Sequence, residues 1–120
     1  MLHGSNRKVL AFVSAAGLSL LAIAGAARAE PDAKLIRTWK AKCATCHSAT
    51  GDGKTEQGVK QGIPDFSTKA WQAKKTDADI KTAISEGVKK DGKEGMDPFK
   101  DKLTPEQIDG MLAVVRSLAK

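Results

Sequence analysis

Cysteine, histidine and aromatic residues are scarce in this chain. Its 120 residues contain two cysteines, two histidines, two tryptophans, three phenylalanines and no tyrosine. A scaffold of several disulfides is therefore excluded, because two cysteines form at most a single bridge. A closed zinc site is excluded as well, because it takes four Cys or His ligands and one histidine, His3, lies in a segment that we expect to be removed.

A strong basic excess is also missing once the N-terminal segment is set apart. The whole chain carries 20 basic and 14 acidic residues, a net charge of +6. Residues 1–29 hold Arg7, Lys8 and Arg28 and no acid, so residues 30–120 carry 17 basic and 14 acidic residues, a net charge of +3. This excess is small and scattered, whereas nucleic-acid-binding domains show a clear basic stripe. We therefore expect no nucleic-acid partner.

The first thirty residues have the pattern of an export signal. Arg7 and Lys8 form a short basic region, and residues 9–27 contain no charge. Ala27-Arg28-Ala29 fits the small-x-small cleavage pattern, which predicts a signal peptide over residues 1–29 and a mature chain that begins at Glu30. The uncharged run is also nearly long enough to span a bilayer, so an uncleaved anchor is the alternative. The composition, rich in Ala, Gly and Ser, favours cleavage.

Both cysteines lie in one five-residue run, Cys43-Ala44-Thr45-Cys46-His47. Cys-x-x-Cys-His is the attachment signature of c-type haem. On a helix, residues three and four apart share a face, so Cys43, Cys46 and His47 can point at one object. The two thiols would form thioether bonds to the porphyrin, and the His47 imidazole would ligate the iron. The rival interpretations are a thioredoxin-like dithiol, which needs a βαβ setting, and a plain structural disulfide, which export permits.

Residues 30–120 predict one small all-α domain of three to four helices. A first helix runs from Asp32 or Ala33 into the motif, because its apolar residues share a face with the motif residues. The last helix begins at Thr104-Pro105-Glu106-Gln107, where threonine caps the helix, proline occupies its first position and glutamine completes a capping box. So small a chain with so few aromatics would gain much of its core from a bound macrocycle.

Between these two helices the sequence predicts shorter helices and polar connections. Residues 48–64 contain four glycines and predict a loop. A short helix is expected near residues 68–73 with Ser67 as its cap, and Thr76 begins a longer helix with a capping-box pattern. Residues 89–102, rich in lysine, aspartate and glycine, predict a second loop, which contains Met96. No segment shows a convincing strand pattern.

Across residues 30–120 the sequence resembles a class I cytochrome c. The shared order is a helix with the haem motif, a Gly-rich loop, a middle helix, a methionine loop and a closing helix. Residues 96–108 resemble the family's segment of axial methionine, nearby proline and phenylalanine, and capped last helix. The resemblance implies a monohaem protein of the bacterial periplasm, with one haem c bound through Cys43 and Cys46 and its iron ligated by His47.

Met96 is the sixth iron ligand that this resemblance implies. A thioether is a soft, neutral donor, and His/Met ligation raises the reduction potential of haem iron. Met111 is the other candidate, but it falls at a helical core position, where methionine usually packs. The resemblance also implies that the Pro64 carbonyl accepts a hydrogen bond from the ligating histidine, although Pro64 could equally be an ordinary turn proline. Trp71 could donate its indole N–H to a haem propionate or simply cover the core.

The expected function is one-electron transfer by a carrier that is not itself an enzyme. Ligation by His47 and Met96 would leave no open position for a substrate, and the chain offers no other catalytic constellation. The alternatives are a haem protein with an open or labile sixth position, either ligand-binding or peroxidase-like, and a haem subunit of a larger oxidoreductase. We expect a monomer with redox proteins as partners and no membrane span after signal cleavage. Seven lysines near the loops are candidates for weak steering of partners, although a solvated surface explains most of them: Lys54, Lys60, Lys89, Lys90, Lys93, Lys100 and Lys102.

Overall fold

In a computed structural model, which describes residues 30–120, the chain forms six helices and one two-stranded hairpin. The predicted small all-α fold is confirmed, with six helices over residues 30–120 in place of the three to four that were expected. The predicted signal peptide and its cleavage site lie outside the described residues, and none of the described helices combines the length and the apolar composition of a membrane span. In chain order the elements are α1 (Ala33–Lys42), α2 (Ala44–His47), α3 (Glu56–Gln61), α4 (Lys69–Lys74), α5 (Asp77–Glu86), β1 (Val88–Lys90), β2 (Lys93–Met96) and α6 (Pro105–Ser117).

Capping boxes start the two long helices of the C-terminal half, as predicted. The Thr76 hydroxyl accepts from the backbone N–H of Asp79, and the Asp79 carboxylate accepts in return from the Thr76 N–H. Thr104 and Gln107 make the same reciprocal pair at the start of α6. Each box satisfies two N–H groups that a helix start otherwise leaves without partners. The starts of α5 and α6 therefore follow from local sequence alone.

Two predictions about the segment after the motif are wrong. The cap of α4 is Thr68, whose hydroxyl accepts from a backbone N–H of the first turn, and not Ser67. Ser67 is buried, and its hydroxyl donates to the Asp65 carboxylate at 2.6 Å, so it is not available to cap the helix. The predicted loop over residues 48–64 contains α3, which Thr55 caps. A helix of six residues is too short to show a clear apolar period in the sequence.

The predicted loop over residues 89–102 is wrong in its first half, because the hairpin of β1 and β2 occupies residues 88–96. β1 and β2 pair antiparallel and are joined by Asp91 and Gly92, whose φ values of 52° and 73° are those of a primed hairpin turn. A register shift after Val88 leaves Gly95 as an extra residue on β2, which makes a β-bulge. Strands of three and four residues give too short an alternating pattern to be recognised in the sequence.

The core lies where α1 and α5 meet α6. Trp39 on α1 is 4% exposed, and Met111 and Val114 on α6 are 1% and 0% exposed. Gly110 faces the Leu35 side chain of α1, and a Cβ added at this position would require that side chain to move. The burial of Met111 confirms its predicted role as a core residue. The remaining buried apolar residues, from α5, α6 and the segment before α6, are Ile80, Ile84, Leu103, Ile108 and Val115.

Candidate functional site

Cys43, Cys46 and His47 lie at the junction of α1 and α2. α1 ends at Lys42, and α2 continues through His47 after Cys43. The His47 N–H donates to the Cys43 carbonyl at 2.9 Å, so a single helical turn separates the first cysteine from the histidine. All three side chains are half-buried, and the two cysteines form no disulfide. The structure therefore brings the three motif residues together on one turn.

Burial favours the uncharged forms of the His47 and Cys43 side chains. It lowers the pKa of His47 below its ordinary value, so the imidazole is neutral near pH 7, and the neutral form is the one that ligates a metal. Burial also raises the pKa of Cys43 to about 11; Lys42 opposes this rise and Cys46 adds to it. Cys43 is therefore a thiol near neutral pH. A redox-active dithiol needs a lowered thiol pKa, so this environment disfavours a thioredoxin-like role.

Aromatic rings form a row that includes the His47 imidazole. The centroid of the imidazole lies 5.8 Å from that of Trp39 and 4.7 Å from that of Phe66. Phe66 in turn stacks on Trp71, with 4.2 Å between the ring centroids. Trp39 also donates its indole N–H to the Ser48 carbonyl at 3.2 Å, directly after the motif. The row thus restricts the orientation of the imidazole.

Two buried nitrogen atoms in this row, His47 Nδ1 and Trp71 Nε1, have no hydrogen-bond partner among the described residues. A buried N–H group without a partner destabilises a fold by about 1–3 kcal/mol, and native proteins rarely leave one. The predicted bond from His47 to the Pro64 carbonyl is not formed in this arrangement, and it stays a prediction for the haem-bound protein. A haem, whose propionates are acceptors, would give the Trp71 N–H a partner. The residues of the site therefore fit this cofactor.

The segment after the motif folds back onto α2 through the main chain. The Gly53 N–H donates to the His47 carbonyl at 3.0 Å, and the Thr55 hydroxyl donates to the Cys46 carbonyl at 2.9 Å. A Cβ on Gly58 would overlap with the Cys46 carbonyl oxygen, so glycine lets α3 pack directly on the helix that carries the motif. These contacts join α3 and α2 into one unit.

Met96 lies at the base of the hairpin rather than in an irregular loop. It is the last residue of β2 and pairs with Val88. Gly87 lies directly before the hairpin with φ 73° and ψ −176°, a conformation that essentially only glycine adopts. A Cβ at this position would also overlap with the Met96 carbonyl oxygen. Beyond the hairpin, the Phe99 N–H donates to the Ile84 carbonyl at 2.9 Å and returns the chain to α5. Local backbone contacts therefore hold Met96 at this position.

The site residues belong to two parts of the molecule that share one core. Met96 is half-buried and packs against the same hydrophobic cluster as Cys43, Phe66 and Trp71. Sequence reasoning missed Gly58 and Gly87, which shape the two parts. A glycine directly after a predicted helix is a recognisable signal for Gly87. Gly58 carried no such signal, because its role is to let one helix approach another.

Comparisons with known proteins agree with this arrangement. A family model described as cytochrome c oxidase, cbb3-type, subunit III matches residues 31–113. Among solved structures, the chain is similar to KustC0563, a c-type cytochrome, with 38% sequence identity and a TM-score of 0.64 over 71% of this chain and 96% of that chain. A mutant of the same cytochrome gives 37% identity and a TM-score of 0.62 over 70% of this chain and 96% of the mutant. Among curated proteins, none matches the chain.

Proposed function

This chain belongs to the monohaem c-type cytochromes, and from that premise we propose that it carries single electrons on an iron ligated by His47 and Met96. The family match over residues 31–113 and the 38% identity to a c-type cytochrome carry the premise. A member of this family is a haem-based electron carrier, and its cofactor is one covalently bound haem c. We propose that the chain is such a carrier and not itself an enzyme.

The motif residues are proposed to hold the cofactor. Cys43 and Cys46 would form two thioether bonds to the haem, and His47 would ligate its iron. Their position on one helical turn supports these roles, as does the neutral state of the imidazole. The haem supplies a reversible Fe(III)/Fe(II) change, and the surrounding residues orient it and exclude water from it.

Met96 is proposed as the sixth ligand. A thioether donor favours the ferrous state and raises the reduction potential. The backbone of Met96 is held at the base of the hairpin by Gly87 and by its pairing with Val88, and ligands on regular elements are placed more reproducibly than ligands on loops. Met111, the rival methionine, is 1% exposed inside α6. Its burial among core side chains supports the choice of Met96.

Two further residues are proposed to support the cofactor. Trp71 donates its indole N–H to a propionate, because this buried nitrogen has no partner among the described residues. Pro64 offers its carbonyl to His47 Nδ1 once the haem is in place, and the lone Nδ1 atom is the observation behind this role. Such a bond would fix the tautomer and the orientation of the ligating imidazole.

The working protein is proposed to be residues 30–120, exported to the periplasm by a signal peptide over residues 1–29.

Its partners are proposed to be redox proteins, and ion pairs within the protein reduce the number of lysines that could steer these partners. Lys100 lies 2.8 Å from the Glu86 carboxylate, and Lys102 lies 3.6 Å from that of Asp97. Their charges are therefore partly offset within the protein. Five exposed lysines remain as candidates for weak steering: Lys54, Lys60, Lys89, Lys90 and Lys93.

The name of the matching family model favours a second candidate function, a haem subunit of a larger oxidoreductase. The two candidates differ in the size of the native particle. A free carrier would elute as a monomer when gently extracted from its host, whereas a subunit would elute with a complex many times its mass.

Carbon monoxide binding tests the proposed ligation. Ferrous wild-type protein should be low-spin and resist carbon monoxide, and Met96→Ala should admit it and lower the potential by an appreciable part of the roughly 0.8 V that axial ligands span. Met111→Ala is the control: it should keep the spectrum and lose about 2–5 kcal/mol of unfolding free energy. Rapid carbon monoxide binding by the wild-type protein would instead support the ligand-binding alternative.

A further inference from the structure

One lysine fastens the hairpin to α3. The Lys90 Nζ atom lies 2.7 Å from the Gln61 carbonyl oxygen. Gln61 is the last residue of α3, and Gly62 then turns the chain with φ 64°. The final carbonyls of a helix have no intrahelical donor and carry partial negative charge, so a lysine side chain is a favourable partner for them. The contact is therefore a charge-assisted hydrogen bond between two elements that are distant in sequence.

This bond completes a chain of contacts between the two proposed iron ligands. On one side, α3 is joined to the motif helix by the hydrogen bond from Thr55 to Cys46 and by the close approach at Gly58. On the other side, Lys90 belongs to β1, and β1 pairs with the strand that ends in Met96. Through this bond the hairpin links Met96 to the unit formed by α2 and α3.

The hairpin needs such an external contact. Its strands have three and four residues, and a bulge interrupts their pairing. A two-stranded hairpin alone is marginally stable in water. Lys90 lies next to the turn, at the end of the hairpin far from its base. A contact there opposes the peeling of the whole hairpin away from the body of the protein.

We propose that the contact between Lys90 and Gln61 is a latch that keeps the hairpin closed, and that Lys90 is thereby a positioning residue for Met96. The inference rests on the proposed ligation by Met96. When the bond between Lys90 and Gln61 is broken, the hairpin swings away from the body of the protein about its base at Gly87. Met96 is then displaced more often from its proposed position at the iron. Loss of one exposed, charge-assisted hydrogen bond shifts such an equilibrium by about two- to tenfold.

Imidazole binding to the ferric holoprotein measures how often Met96 is displaced. Lys90→Ala should raise the observed association rate about two- to tenfold, by the same estimate. Lys93→Ala is the matched control, because Lys93 pairs with Lys90 across the hairpin and its removal takes away the same charge without touching the Gln61 carbonyl. Lys90→Arg, which keeps a donor, should stay near the wild-type rate. Hydrogen exchange of the hairpin amides should rise in Lys90→Ala alone.

Three variants separate failure of the latch from failure of the ligand assignment. If Met96→Ala binds imidazole no faster than the wild type, Met96 is not the ligand and the proposed function fails. If Met96→Ala binds faster while Lys90→Ala and Lys93→Ala give the same rate, the ligand assignment stands and the latch is wrong. In the Met96→Ala background, Lys90→Ala should add no further increase; an undiminished increase there would show that Lys90 does not act through Met96.

Discussion

The two proposed iron ligands are held by different kinds of structure. His47 lies within a helix, beside a cysteine that is proposed to bond to the haem, and its imidazole contacts the rings of Trp39 and Phe66. Met96 ends a short hairpin that depends on a glycine at its base and on a lysine near its turn. The motif half is therefore held by a helix and by the rings packed on it, and the methionine half by a short hairpin fastened at its base and near its turn. We expect the methionine half to be the first to open.

The largest expected effect comes from removing the covalent attachment on the motif half. Among the described residues only eight apolar side chains are buried, so the protein part alone has a small core. Cys43→Ala combined with Cys46→Ala should leave a largely unfolded chain. Far-UV circular dichroism and a thermal scan measure this outcome. Native-like helical signal with a cooperative transition would show that the core does not need the haem.

An intermediate effect is expected at the base of the hairpin. Gly87→Ala places a side chain at φ 73° and ψ −176°, which costs about 1–3 kcal/mol, and its Cβ would overlap with the Met96 carbonyl. Haem should stay attached, while the absorption band of the ferric iron–thioether bond weakens and external ligands bind faster. Gly92→Ala is the control, because Gly92 has the same φ of 73° at the turn but no atom within 4 Å of an added Cβ. Equal effects of Gly87→Ala and Gly92→Ala would contradict a specific role for Gly87 at the base of the hairpin.

The smallest expected effect is an acid-dependent loosening of the motif half. Ser48, directly after His47, has φ 68° and donates to the Asp52 carboxylate at 2.7 Å. The bonds from Ser48 and from the Lys54 N–H lower the pKa of Asp52 below its ordinary value. A lowered pKa in the folded state stabilises the protein above the unfolded value of about 4, and this stabilisation is lost as the pH falls through the folded value.

Thermal unfolding of Asp52→Asn between pH 3 and pH 7 tests this prediction. These pH limits bracket the ordinary carboxyl pKa of about 4. The difference in melting temperature between wild type and variant should be steady above roughly pH 5 and shrink below roughly pH 4. Asp101→Asn, on an exposed residue outside the motif segment, provides the comparison. If the difference in melting temperature stays constant down to pH 3, the titration of Asp52 is not its source.

Local signals were enough to predict the longer helices. The capping boxes at Thr76 and Thr104 involve residues three apart, so the sequence contains every participant in a short window. The shorter elements were missed because the sequence contains no comparable local signal for them. α3 and the hairpin strands have too few residues for a period, and the burial of Ser67, which moved the cap of α4 to Thr68, depends on packing.

The sequence by itself determined the haem motif and the helical class and led to the prediction of Met96 over Met111, because each follows from spacing, capping or resemblance over short windows. Only the tertiary structure decided how the two halves meet. The approach of α3 to Cys46 at Gly58, the contact of Gly110 with the Leu35 side chain, and the bond from Lys90 to Gln61, 29 residues apart, depend on atoms that the chain brings together after folding. No local pattern encodes such contacts, since each is set by the packing of two elements whose separation in sequence carries no periodic signal.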